Sequence, residues 1–166
     1  MRGYLYLRAV GEEAEFFNLA RHILKTDRAD LFLIDMGIEP FLAASSLVGV
    51  IAQRLVRRLC PRCKEAYRPE QSDMMLLNIK EPKEIYRAVG CPACNNRGFA
   101  GRMPIHEVLP IGREVKELVE RKGTTEQIRQ MATKLGTTSL RDNCAQLVLE
   151  GKTTIDELIA VTYTLE

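Results

Sequence analysis

Tryptophan is absent from this 166-residue chain, and aromatic residues make up only 6% of it. Platforms on which bases stack are therefore scarce. Neither sign of charge dominates: 24 Lys and Arg stand against 22 Asp and Glu, a net charge of +2. That balance argues against a nucleic-acid binder that relies on bulk charge, and it excludes a disordered acidic tail. No apolar run approaches the roughly 18 residues that a membrane-spanning helix needs. Met1–Arg8 lacks the apolar stretch of a signal peptide and the chain then turns acidic, so the sequence reads as one that stays in a reducing cytosol. A complete phosphate-binding loop is also missing. Gly151-Lys152-Thr153-Thr154 resembles the end of one, but the position of the pattern's first glycine is Gln146. The stretch reads instead as a helix C-cap followed by an N-cap.

Hydrophobic residues make up 46% of the chain, enough for a core, and the length suits one domain or one domain with a small subdomain. The fold class expected from the pattern is α+β, mainly α. Tyr4–Leu7 reads as a short strand, and Phe16, Phe17, Ala20, Ile23 and Leu24 recur at helical spacing. Leu31–Ile34 is an apolar run that Gly37 breaks. Pro40 suits the first turn of a helix, and Phe41, Ala44, Val48, Ile51, Leu55 and Leu59 extend one apolar stripe, predicting a long helix to about residue 59. Beyond residue 104 the punctuation is clear. Ile105–Leu109 alternates like a strand. Four helical segments follow, with capping boxes at Thr124-x-x-Gln127 and Thr154-x-x-Glu157, a cap at Ser139, and stops at Gly123, Gly136 and Gly151. A further short helix is predicted around Ser72–Ile79, with Ser72 as its cap. These signals divide the chain into residues 1–57, 58–104 and 105–166.

Four of the five cysteines form two C-x-x-C pairs, Cys60-Pro61-Arg62-Cys63 and Cys91-Pro92-Ala93-Cys94. In a reducing compartment such pairs read as metal ligands before disulfides. Zinc takes four thiolates as a tetrahedron, and two such turns close the shell and leave no open position, so the site is expected to be structural. The intervening residues, 64–90, exceed the roughly 15 to 20 of a usual ribbon, an extension whose entropic cost grows only logarithmically. A redox pair fits poorly, because neither motif follows a strand and opens a helix in a βαβ pattern. Arg62, Lys64 and Arg97 stand near enough in sequence to offset the negative charge of a four-thiolate centre.

Other chemistry-bearing residues read plainly. Cys144 lies on an apolar helical face and is expected in the core. His22 and His106 have no ligand at metal-binding spacing. Arg54, Arg57 and Arg58 fall on the polar side of the predicted long helix. They are either a solvated face or an interface for a phosphate- or carboxylate-bearing partner.

Several stretches together resemble one family. They are Asp35–Leu42, Val48–Cys63 with its Gln-Arg-Leu-Val-Arg run leading into Cys-Pro-x-Cys, Gly90–Cys94, Arg97-Gly98-Phe99-x-Gly101-Arg102, and Leu149–Leu158. Residues 30–163 are similar to the C-terminal part of the type II secretion and type IV pilus assembly ATPases (GspE/PilB type). The resemblance implies the end of a RecA-like ATPase core, a small tetracysteine zinc subdomain and a C-terminal helical portion. It implies Cys60, Cys63, Cys91 and Cys94 as zinc ligands. It also implies assembly as hexamers on the cytoplasmic side of the inner membrane, with the membrane platform as partner. The family's Walker A, Walker B and His-box motifs have no counterpart here, and Cys144 and His106 depart from its pattern. ATP and Mg are therefore expected only in the context of a full-length member. The chain is expected to be a structural, subunit- or partner-contacting part, truncated or split from an ATPase. The alternative is a stand-alone zinc ribbon that binds nucleic acid or protein.

Overall fold

A computed structural model describes residues 48–163 with the exception of 122. The expected elements before residue 48, together with His22, lie outside the described residues. The described chain is α+β: β1 (Gly49–Leu59), β2 (Glu65–Tyr67), α1 (Gln71–Leu77), β3 (Ile85–Arg87), β4 (Phe99–Pro110), α2 (Arg113–Glu120), α3 (Thr125–Lys134), α4 (Leu140–Leu149) and α5 (Ile155–Tyr163). Contacts divide the described residues into two units, 48–53 with 107–138 and 54–106 with 139–163. Among the described residues no helix is long and apolar enough to cross a membrane.

The long helix expected to run to residue 59 is not present over the described part of that range. Gly49–Leu59 is a strand paired with β4. The pairing is antiparallel: Ile111 N donates to Val48 O at one end and Cys60 N to Gly98 O at the other, both at 3.0 Å. Residues three apart lie on opposite faces of a strand, yet Val56 and Leu59 are both buried. Cover on both faces at this end hides the two-residue period, and the apolar spacing then imitates a helix. Val50, Ile51 and Val56 suit a strand once a neighbour supplies the ladder.

In the first unit, Ile111, Val115 and Val119 form a small core with Val50, Leu109 and Met131 packed against it. The expected capping box of α3 is present: Gln127 N donates to Thr124 Oγ1 at 3.3 Å and Thr124 N to Gln127 Oε1 at 2.9 Å. In the second unit α4 packs on α5, α1 and β3, and Cys144, Val148 and Leu158 are fully buried. Ser139 caps α4 as expected, its hydroxyl accepting from Asp142 N at 3.1 Å. α1 begins at residue 71, and its cap is Glu70, not Ser72; Glu70 N donates to Asp73 Oδ2 at 3.2 Å. β2 and β3 pair antiparallel with Ala66 opposite Tyr86. At three residues each they are too short to show a period.

Candidate metal centre

Each cysteine pair is shaped by a tight turn. Cys60 follows the last residue of β1, and Lys64 N and Cys63 N turn back to Cys60 O at 3.1 and 3.4 Å. The second pair sits on a single helical turn, Pro92–Cys94. Cys94 N and Asn96 N donate to Cys91 O at 3.1 and 2.9 Å. Asn95 and Asn96 then take the left-handed conformation, with φ of 51° and 58°, which asparagine tolerates better than most residues. The bond from Cys60 N to Gly98 O joins the two turns.

The four Sγ atoms lie within 4.8 Å of one another. Cys60–Cys91 measures 3.9 Å, Cys63–Cys94 3.8 Å and Cys91–Cys94 3.8 Å. All four are free thiols. A tetrahedron with Zn–S near 2.3 Å sets neighbouring sulfurs about 3.8 Å apart. The donor set therefore fits a closed four-thiolate zinc site. Backbone amides support it: Cys91 N and Gly98 N both donate to Cys94 Sγ at 3.2 Å.

The thiols sit in different surroundings. Burial pushes Cys63 up, the Gly90 amide lowers it, and bonds with the other three thiols raise it, leaving it at about 12. Burial raises Cys94 as well, but the Cys91 and Gly98 amides and the Cys63 and Cys91 thiols lower it to about 6. A metal takes all four as thiolates, so its binding releases the protons that they carry.

Two of the cations expected to offset the thiolate charge have other partners as well. Lys64 Nζ donates to Gly151 O at 2.9 Å and lies 4.2 Å over the Tyr86 ring, and Arg97 Nε reaches Cys94 O at 3.4 Å. Arg54, Arg57 and Arg58 do not share one face of a helix. On a strand Arg57 points opposite to Arg54 and Arg58, and it is engaged inside its own unit. Its guanidinium carbon lies 4.1 Å over the Phe99 ring, and its Nε donates to Glu157 Oε1 at 2.8 Å.

Sequence reasoning missed the part played by residues 151–157. Glu157 does not complete a capping box with Thr154. Its carboxylate goes to Arg57, and Thr154 Oγ1 is buried without a partner. Thr153, fully buried, donates to Arg57 O at 2.8 Å. Gly151 has a φ of 65°, and the amides of Gly151 and Lys152 close α4 onto Val148 O and Leu147 O. The C-cap read at Gly151 is present; the N-cap read at Thr154 is not made by its side chain. Cys144 is a core residue, fully buried, and His106 is exposed.

Comparison with known proteins adds the family. A family model described as "Type II/IV secretion system protein" matches residues 23–160. The chain is 46% identical over 132 residues to the type II secretion system ATPase E of Vibrio cholerae, covering 78% of this chain and 26% of that protein. It is 42% identical over 132 residues to the type II secretion system protein E of Pseudomonas aeruginosa, with the same two coverages. It is 39% identical over 135 residues to the type IV pilus assembly ATPase PilB of Myxococcus xanthus, covering 78% of this chain and 24% of the relative. The chain thus spans about a quarter of the length of these curated relatives. It belongs to the type II/IV secretion system protein family.

Proposed function

We propose that this chain is the zinc-binding, structural part of a type II secretion or type IV pilus assembly ATPase. The observation that carries the reading is the clustering of the Cys60, Cys63, Cys91 and Cys94 Sγ atoms within 4.8 Å of one another, three of the pairs at 3.8 to 3.9 Å, in a chain of this family. Zinc held by four thiolates supplies cross-linking and no catalysis, because no coordination position is left for substrate. It staples the end of β1 to the turn that precedes β4. ATP hydrolysis, with its Mg, belongs to the nucleotide-binding core of a full-length member, since phosphoryl transfer needs a cradle for the β- and γ-phosphates that these residues lack. The partners are the other subunits of the ATPase hexamer and its inner-membrane platform, at the cytoplasmic face. Arg58, exposed on β1, is offered as a partner contact, whereas Arg57 is engaged by Glu157.

The test is native mass spectrometry of the full chain with and without Mg-ATP. One zinc per chain, lost in the Cys60→Ser/Cys91→Ser double variant, and no retained nucleotide are the expected results. A chain purified without zinc and unable to take it up overturns the metal reading. Mg-ATP held by the isolated chain overturns the non-catalytic one.

A further inference from the structure

The two ligand pairs are organised differently. The Cys91–Cys94 turn is set largely by its own backbone: Asn96 N closes on Cys91 O at 2.9 Å, and two amides point at Cys94 Sγ. The Cys60–Cys63 turn has longer internal bonds, 3.1 and 3.4 Å to Cys60 O. It is instead gripped on both flanks by one remote stretch, residues 151–157. On the N-terminal flank, Leu59 N donates to Lys152 O at 2.8 Å and Thr153 Oγ1 to Arg57 O at 2.8 Å. On the same flank, Arg57 N donates to Glu157 Oε2 at 2.7 Å. On the C-terminal flank, Lys64 Nζ donates to Gly151 O at 2.9 Å while covering the Tyr86 ring. None of these groups touches a sulfur atom. They fix the chain on either side of the two sulfur-bearing residues, within one unit of the molecule.

We propose that residues 151–157 are a positioning clamp for the first ligand pair, so that metal retention at Cys60 and Cys63 depends on Lys64, Thr153 and Glu157. The inference rests on the zinc reading above and goes beyond it by naming what holds the ligands. A four-thiolate shell gains most when its donors are already placed, because each donor still to be ordered costs conformational entropy on binding. Partners that orient ligands from outside the first shell commonly change metal affinity by about 10- to 100-fold. Lys64, Thr153 and Glu157 are positioning residues in this sense.

The experiment measures zinc release from the full, zinc-loaded chain to a chromogenic chelator, beside a thermal melt of each variant. Lys64→Met and Thr153→Val are expected to release zinc about 10-fold faster. Lys64→Arg, which keeps a cation over Tyr86, and Thr153→Ser, which keeps the hydroxyl, are expected to restore slow release. Arg141→Met is the control for general destabilisation. It removes the bond from Arg141 Nη2 to Leu76 O, 2.7 Å long in the same unit, and is expected to release zinc at the wild-type rate. Wild-type rates in both Lys64→Met and Thr153→Val overturn the clamp while leaving the zinc centre standing. So does an equal acceleration in Arg141→Met at the same loss of melting temperature. A wild-type chain that takes up no zinc overturns both readings at once.

Discussion

The Glu157 carboxylate holds both the main chain and the side chain of Arg57, accepting from its backbone N–H at 2.7 Å and from its Nε at 2.8 Å. The two residues are 100 positions apart. The carboxylate is nearly out of water, at 12% exposure, while the Arg57 side chain is 50% exposed and lies over Phe99. Two charge-assisted bonds from one residue, one of them to a backbone group, tie β1 to the start of α5.

Glu157→Gln keeps the shape and removes the charge. Hydrogen bonds to a charged group contribute about 1.5 to 3 kcal/mol, which the exposure of Arg57 reduces. The expected loss is about 1 to 2 kcal/mol in urea unfolding, with an unchanged slope. The pair between Arg87 and Glu65 has a contact as short, 2.7 Å, but both side chains are more than half exposed. Glu65→Gln is therefore expected to cost less than about 1 kcal/mol. Equal losses in the two variants would contradict the special role of Glu157.

Local chemistry was legible in the sequence, and pairing across the chain was not. Cys60, Cys63, Cys91 and Cys94 announce a site because a C-x-x-C turn needs only its own residues to bring two thiols together. The cap at Ser139, the capping box at Thr124 and the stop at Gly151 are local in the same way. β1 was misread because strand formation needs β4 as a partner some fifty positions later, and cover on both faces near Val56 and Leu59 erased the alternation. β2 and β3, three residues each, carry no readable period. Glu157 sits at the third position after Thr154, where a capping carboxylate belongs. The pull of Arg57, remote in sequence, was invisible there.

Cys144 gives a prediction in the alkaline range. It is fully buried on α4, and burial, aided by the charge of Glu157, pushes its thiol up to about 12. A raised pKa in the folded state means that the unfolded chain loses its proton first. The contribution of this thiol is fully present below the unfolded value near 9 and is lost as pH rises toward 12. Stability of the wild-type chain is expected to fall more steeply than that of Cys144→Ala between those values, followed by urea titrations at stepped pH. At neutral pH iodoacetamide is expected to leave Cys144 unmodified until the chain unfolds, since the thiolate is the nucleophile. Identical alkaline limbs, or rapid alkylation of the zinc-loaded native chain at Cys144, would refute this account.

Gly151 and Gly101 separate backbone strain from crowding. Both take the left-handed conformation, with φ of 65° and 80°. A Cβ on Gly101 meets nothing within 4 Å, whereas one on Gly151 comes within 2.6 Å of the Tyr86 ring and 3.2 Å of Lys64 Nζ. Gly101→Ala is therefore expected to cost about 1 kcal/mol, the conformational penalty alone. Gly151→Ala adds an overlap of the kind that costs about 1 to 3 kcal/mol, for a total of about 2 to 4 kcal/mol. Tyr86→Ser opens the space beside Gly151 at the expense of the contact with Lys64. In a double-mutant cycle with Gly151→Ala the two changes are expected to couple favourably, because the serine removes the overlap and leaves only the backbone term. Simple additivity would show that the ring yields at no cost, and that the conformation of Gly151, not the approach of Tyr86, keeps glycine at the end of α4.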